Sequence, residues 1–170
     1  MYKILKILHL LGLVLFLGSV FGHIVAGSLG GAIGSAEFLF ARRTISEATW
    51  VLTLPGLALS LLSGLGLVFL SPTRRPWMAA HAGVALAIAL VAAIWIVPAG
   101  HEALNGASAS AETVIGGKPA DIRAALMREN IAGAVNILLT LAIVALGVVK
   151  PTGTWRVRRA ESAAARVARP

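Results

Sequence analysis

Apolar residues recur in four long runs, each bounded by charge. No Asp, Glu, Lys or Arg occurs in the 30 residues between Lys6 and Glu37, the 26 between Glu47 and Arg74, the 26 between Arg75 and Glu102, or the 20 between Glu129 and Lys150. Crossing a hydrocarbon slab of ~30 Å takes about 20 helical residues, so every run is long enough to span. Lipid offers no partner to a free backbone amide, and no ten-residue alternating barrel pattern is present, so the runs read as helices. The spans are placed at residues 4–26, 50–70, 77–98 and 131–149. The predicted fold is an all-α polytopic membrane protein, a four-transmembrane-helix bundle with both termini on one side. Residues 1–151 form the transmembrane domain and 152–170 a basic tail.

The connecting segments add detail. A Gly/Ser stretch follows the first span, and a helix is expected from about Ser35 through Phe38, Leu39 and Ile45 into the second span. Ser71-Pro72-Thr73-Arg74-Arg75-Pro76 leaves room only for a tight hairpin, which makes spans two and three antiparallel neighbours. Pro98 is expected to end or kink the third span, and Lys118-Pro119 to open a helix that extends the fourth span outward, because proline suits the first helical turn. The first run exceeds a signal-peptide core of about 7–15 residues and no small-x-small site precedes a soluble domain, so it reads as a retained helix.

Composition agrees with lipid as solvent: 58% of the chain is hydrophobic and 13% charged, against roughly a quarter charged in soluble domains. Zero cysteines remove disulfides, thiolate metal sites and c-type haem attachment. The formal charge of +8 does not indicate nucleic acid, because the basic residues cluster between apolar runs rather than along a groove. Ten of the fifteen Lys and Arg fall at the N-terminus, the middle hairpin and the tail, while the other two loops carry six of the seven acidic residues. The positive-inside rule then puts both termini in the cytoplasm, and the expected location is a bacterial inner membrane.

Candidate chemistry rests on histidine. Intramembrane ionisable residues are costly and therefore candidates for function. His9 and His81 each lie just inside the cytoplasmic ends of spans one and three, which run in the same direction. Their imidazoles can share one depth, the requirement for a bis-histidine b-type haem between two helices, with Arg74 and Arg75 as propionate contacts. Two alternatives stay open: interfacial histidines bonded to backbone or headgroups, and a transition-metal site. His23 lies about 21 Å beyond His9 on the same helix face. His101 lies past Pro98, and His23 and His101 are the candidates for a second haem or a further metal site, with His101-Glu102 separately a candidate to bind a metal together with Glu112 or Glu37.

Asn136 and Thr140 make a polar stripe on span four, read either as an interhelical hydrogen bond or as the lining of a propionate, a quinone head or a water file. Gly18 and Gly22 form a GxxxG continued by Ala26, and Ala79, Gly83 and Ala87 form a similar series, both expected at close helix crossings or a dimer contact. No nucleophile elbow, phosphate loop, HExxH or paired intramembrane carboxylate occurs, so no enzymatic reaction is assigned.

Lys3-Ile-Leu-Lys6-Ile-Leu-His9-Leu-Leu-Gly12, Leu54-Pro55-Gly56 with Ser63-Gly64-Leu65, and Val148-Val149-Lys150-Pro151 occur in the order that resembles a family of bacterial four-helix integral membrane proteins of unknown function, DUF2269. The Lys-x-x-His-x-x-Gly opening is also similar, more distantly, to copper-resistance D proteins and HemJ-type protoporphyrinogen oxidases. Those resemblances imply a histidine-bearing bundle, with haem b in one case and copper in the other, and His9 as the matching position. The third span lacks the lysine of the HemJ-type tryptophan–lysine element, and Met1, Met78 and Met127 are the only methionines.

Together these readings lead to an inner-membrane protein holding b-type haem between helices one and three, for electron transfer or haem and porphyrin chemistry. The alternatives are a cofactor-free accessory subunit, with a homodimer or membrane-complex partner, and a protein handling a metal or small solute.

Overall fold

The computed structural model describes residues 2–71, 75–111 and 119–150. Arg74 and the tail therefore lie outside the described residues. Six α-helices follow one another: α1 Tyr2–Ser28, α2 Ala36–Ala48, α3 Leu54–Phe69, α4 Pro76–Val91, α5 Val97–Ala111 and α6 Pro119–Val149. Two of the junctions are π-turns, Thr49–Thr53 between α2 and α3 and Ala92–Ile96 between α4 and α5. These turns join their neighbours into continuous rods, so four rods long and apolar enough to cross a membrane result: Tyr2–Ser28, Ala36–Phe69, Pro76–Ser110 and Pro119–Val149. The chain is all-helical among the described residues, as its apolar runs require.

The rods alternate in direction. Leu5 of α1 reaches Gly66 of α3, and His81 of α4 reaches Gly147 of α6. The start of each odd rod thus lies beside the end of an even one, and Tyr2 and Val149 stand at the same end, here called the terminal end. The opposite, distal end carries the turn from Ser28 to Ser35, the end of α5 and the start of α6.

The third rod departs from expectation. It does not stop at Pro98 but continues as helix to Ala111. Proline lacks an N–H and its ring clashes with the carbonyl four residues back, which ordinarily kinks a helix. Here Val97 N–H bonds to Ala92 O, five residues back, and the widened turn accommodates Pro98. The second rod repeats the device: Leu54 N–H bonds to Thr49 O just before Pro55. The expected helix from Ser35 is present, with the Ser35 hydroxyl accepting from Phe38 N–H at 3.1 Å. Gly31 and Gly34, at φ +65° and +93°, turn the chain into it.

The tightest crossing is α1 on α3, the most extensive helix pair. A Cβ on Gly12 would lie 2.5 Å from Ser60 N, and one on Gly56 2.7 Å from Phe16 N. Gly18, Gly22 and Gly83 meet nothing within 4 Å, so neither small-residue series marks a close crossing within the bundle. The inward stripe of α1 is His9, Gly12, Phe16, Ser19 and His23, spaced by alternating steps of three and four, and its small residues are Gly12 and Ser19.

Apolar packing occurs at two levels. Phe16, Ile88 and Ile143 meet at mid-bundle, while Phe38, Ala107 and Ile122 close the distal end. Large apolar side chains elsewhere, such as Ile7, Val14, Leu138 and Leu141, point outward, as lipid-facing positions do.

Candidate functional site

At the terminal end, α1 and α4 bring His9 and His81 together. Their ring centres are 6.4 Å apart with planes inclined at 49°. Both imidazoles are half-buried and turned toward the bundle interior rather than toward lipid. His9 Nδ1–H donates to the Ser60 carbonyl at 2.8 Å. A carbonyl can only accept, so Nδ1 carries a proton and Nε2 is the nitrogen that holds the lone pair in the neutral ring. Gly64 makes this possible: a Cβ there would approach His9 Cε1 to 3.0 Å.

His81 rests against Gly147 of α6, whose Cβ would stand 3.5 Å from His81 Cε1. Trp77, one turn earlier on α4, meets His81 edge-on with ring centres 6.4 Å apart. Trp77 Nε1 is buried with no hydrogen-bond partner, and His81 Nδ1 is buried without a close hydrogen bond, its ring interacting with the Ile143 backbone of α6. Arg75 is exposed at the N-cap of α4, and Lys6 lies over the Tyr2 ring at 4.8 Å.

Two imidazoles on opposite sides of one metal ion, each bonded through nitrogen at roughly 2 Å, have ring centres roughly 6 Å apart. The observed separation matches that arrangement. A ligating histidine ordinarily donates its other N–H to a carbonyl or carboxylate, as His9 does. The two imidazoles can thus act as donors, one oriented by the Ser60 carbonyl and one lying against α6. No group of three or more His, Cys, Asp or Glu able to hold a metal ion occurs among the described residues. Two protein donors suit a metal whose remaining positions a macrocycle fills better than a bare ion that needs four protein ligands.

The other two histidines converge at the distal end. His23 and His101 line one small cavity with Arg42, Thr49, Trp50 and Glu129. The π-turns contribute here, because Thr49, Trp50 and Ile96 on its wall belong to them. Arg42 of α2 is buried and pairs with Glu129 at 2.7 Å. Its Nε remains without a partner. Beneath, Ser19 Oγ and Thr53 Oγ1 are 2.6 Å apart, and His23 Nε2 lies 3.3 Å from Ser19 Oγ. His101 is exposed and stacks obliquely on Trp50 at 6.0 Å. The carboxylates considered for a metal with His101 are otherwise placed: Glu102 pairs with Arg128, Glu37 lies at the start of α2, and Glu112 lies outside the described residues.

Asn136 and Thr140 both face inward and are buried, yet the Thr140 hydroxyl donates to the Asn136 carbonyl of its own helix at 2.8 Å. Asn136 Oδ1 is left without a partner, so the interhelical bond expected of this pair is not made by that atom. The Arg42–Glu129 pair is what the sequence reading missed. Its signal was an arginine on the apolar side of an otherwise exposed, charged helix.

The profile of a family described as predicted integral membrane protein (DUF2269) matches residues 3–151. No curated protein and no solved structure is found to match the chain.

Proposed function

Since the chain belongs to the DUF2269 family and is a multi-pass integral membrane protein, we propose that it holds b-type haem at its terminal end, with His9 and His81 as axial ligands, and serves electron transfer or haem and porphyrin chemistry. One observation carries this reading: two inward imidazoles from different rods stand 6.4 Å apart, and the Nδ1 proton of one is held by a carbonyl. When bound, the haem iron would supply one-electron chemistry at a potential set by its ligands and burial.

The protein's own part is positioning. The Ser60 carbonyl fixes the ring angle of His9, Gly64 and Gly147 let both imidazoles lie against the neighbouring helices, and the Trp77 edge packs against His81. Arg75 stands at that end as a cation for a carboxylate, with Arg74 as its sequence neighbour. The positive-inside charge bias supports this end facing the cytoplasm, in what we read as a bacterial inner membrane.

The test is an absorption spectrum of detergent-purified protein expressed with ample haem, oxidised and then dithionite-reduced. A Soret band that His9→Ala and His81→Ala each abolish is the expected result. A colourless wild-type protein sinks the reading.

A second reading has its own support. The same His9–Ser60 bond ties α1 to α3, as a histidine strut does in a cofactor-free accessory subunit. It gains if His9→Ala weakens the fold and the wild type carries no pigment.

A further inference from the structure

Three buried side-chain atoms have no hydrogen-bond partner among the described residues, Arg42 Nε, Asn136 Oδ1 and Trp77 Nε1, and the buried His81 Nδ1 makes no close bond although its ring interacts with the Ile143 backbone. They come from three rods but border one helix face. α6 turns Glu129, Ala132, Asn136, Thr140, Ile143 and Gly147 toward the bundle in steps of three and four. Arg42 sits on Glu129, Asn136 follows two turns on, His81 rests on Gly147, and Trp77 meets His81. From Glu129 to Gly147 this face runs about 27 Å, nearly the thickness of a hydrocarbon core.

An unsatisfied buried polar group costs roughly 1–3 kcal/mol, and more where lipid surrounds the bundle. Water is small enough to serve all these sites and supplies both donors and acceptors. At the distal end a cavity of about 30 Å³, beside Arg42, Glu129, His23 and His101, has room for one molecule.

We propose that the inner face of α6 carries a file of internal waters leading from the Arg42–Glu129 pair to His81, a proton route through the bundle closed at one dry layer. That layer is Phe16, Ile88 and Ile143, from α1, α4 and α6, and it lies between Thr140 and His81. Apolar constrictions of this kind gate by dewetting. Along such a file each water accepts one proton and releases another, so nothing is consumed. The ionisable groups lining the distal cavity are Arg42, Glu129, His23 and His101, and the histidines at the terminal end of the route are His9 and His81. The route needs only this chain's side chains and internal water and does not depend on haem.

The test uses the full chain in phosphatidylethanolamine–phosphatidylglycerol vesicles, with an entrapped pH-sensitive dye and a valinomycin-imposed potassium potential. Ile143→Ser, which wets the dry layer, is expected to raise proton entry roughly tenfold over wild type. Adding Asn136→Leu returns entry to the wild-type rate, whereas Asn136→Ser retains the increase, with the dye kept inside throughout. Entry unchanged by Ile143→Ser, or equally fast with Asn136→Leu added, overturns the proposal. Should Ile143→Ser fail to elute as a folded protein, Phe16→Ala opens the same layer from α1 and carries the identical comparison.

Discussion

At the scale of single residues, the least expected finding is a buried charge pair in a lipid-embedded bundle. Arg42 and Glu129 have side chains only 7% and 16% exposed. Their attraction offsets the desolvation of both, so removing one partner leaves the other charged and stranded. Arg42→Met or Glu129→Leu alone is expected to lower stability by about 3–5 kcal/mol, while the double replacement recovers most of the loss. Reversible unfolding in mixed micelles of increasing SDS content reads this directly, and additive single effects would contradict it. Sequence could not find this pair. Arg42 and Glu129 are 87 positions apart, and each taken alone resembles a solvated helix charge. His9 was the opposite case, since its place just inside a span was visible in the apolar pattern, whereas its Ser60 partner required the fold.

Helices make the next level of argument. Small-residue motifs are so common in membrane helices that the motif itself cannot say which copy packs. Gly18 and Gly22 formed the conspicuous GxxxG, yet the backbone approach occurs at Gly12 and Gly56. Gly12→Ala is therefore expected to destabilise by about 1–3 kcal/mol through overpacking. Gly18→Ala and Gly22→Ala should stay within about 0.5 kcal/mol of wild type. The same SDS titration ranks them, and equal costs would refute the crossing.

The prolines act at this level too. Pro55 and Pro98 each follow a π-turn in the same register, so each rod bends its hydrogen-bond ladder rather than breaking it. The chain has no cysteine, so a Ser19→Cys, Thr53→Cys pair can report the turn, because the native hydroxyls are 2.6 Å apart. Oxidation should close that pair efficiently. Pro55→Ala, by letting the turn relax to α and rotating Thr53 by about 100°, should suppress the cross-link. An undiminished yield on a non-reducing gel would show that the proline does not set the turn.

For the whole molecule, alternation of four rods puts residues 2, 71 and 149 at one end and the turn around Gly31 at the other. Reporter fusions after Lys150 and within the middle hairpin should be active only in a cytoplasmic form, and one inserted at Gly31 only in an exported form. Opposite behaviour of the first two fusions would break the topology. Length and hydropathy were enough to predict four crossings, their order and the helix start at Ser35, because a bilayer imposes one rule on every run: satisfy the backbone internally and hide the charge. That rule is local along the chain, so it can be read there. Which faces meet is not local. The convergence of His9 with His81, of His23 with His101, and of Arg42 with Glu129 depends on the rotation of each rod about its axis, which the Gly12–Gly56 approach and the two π-turns help to set and which no periodicity within a single helix encodes.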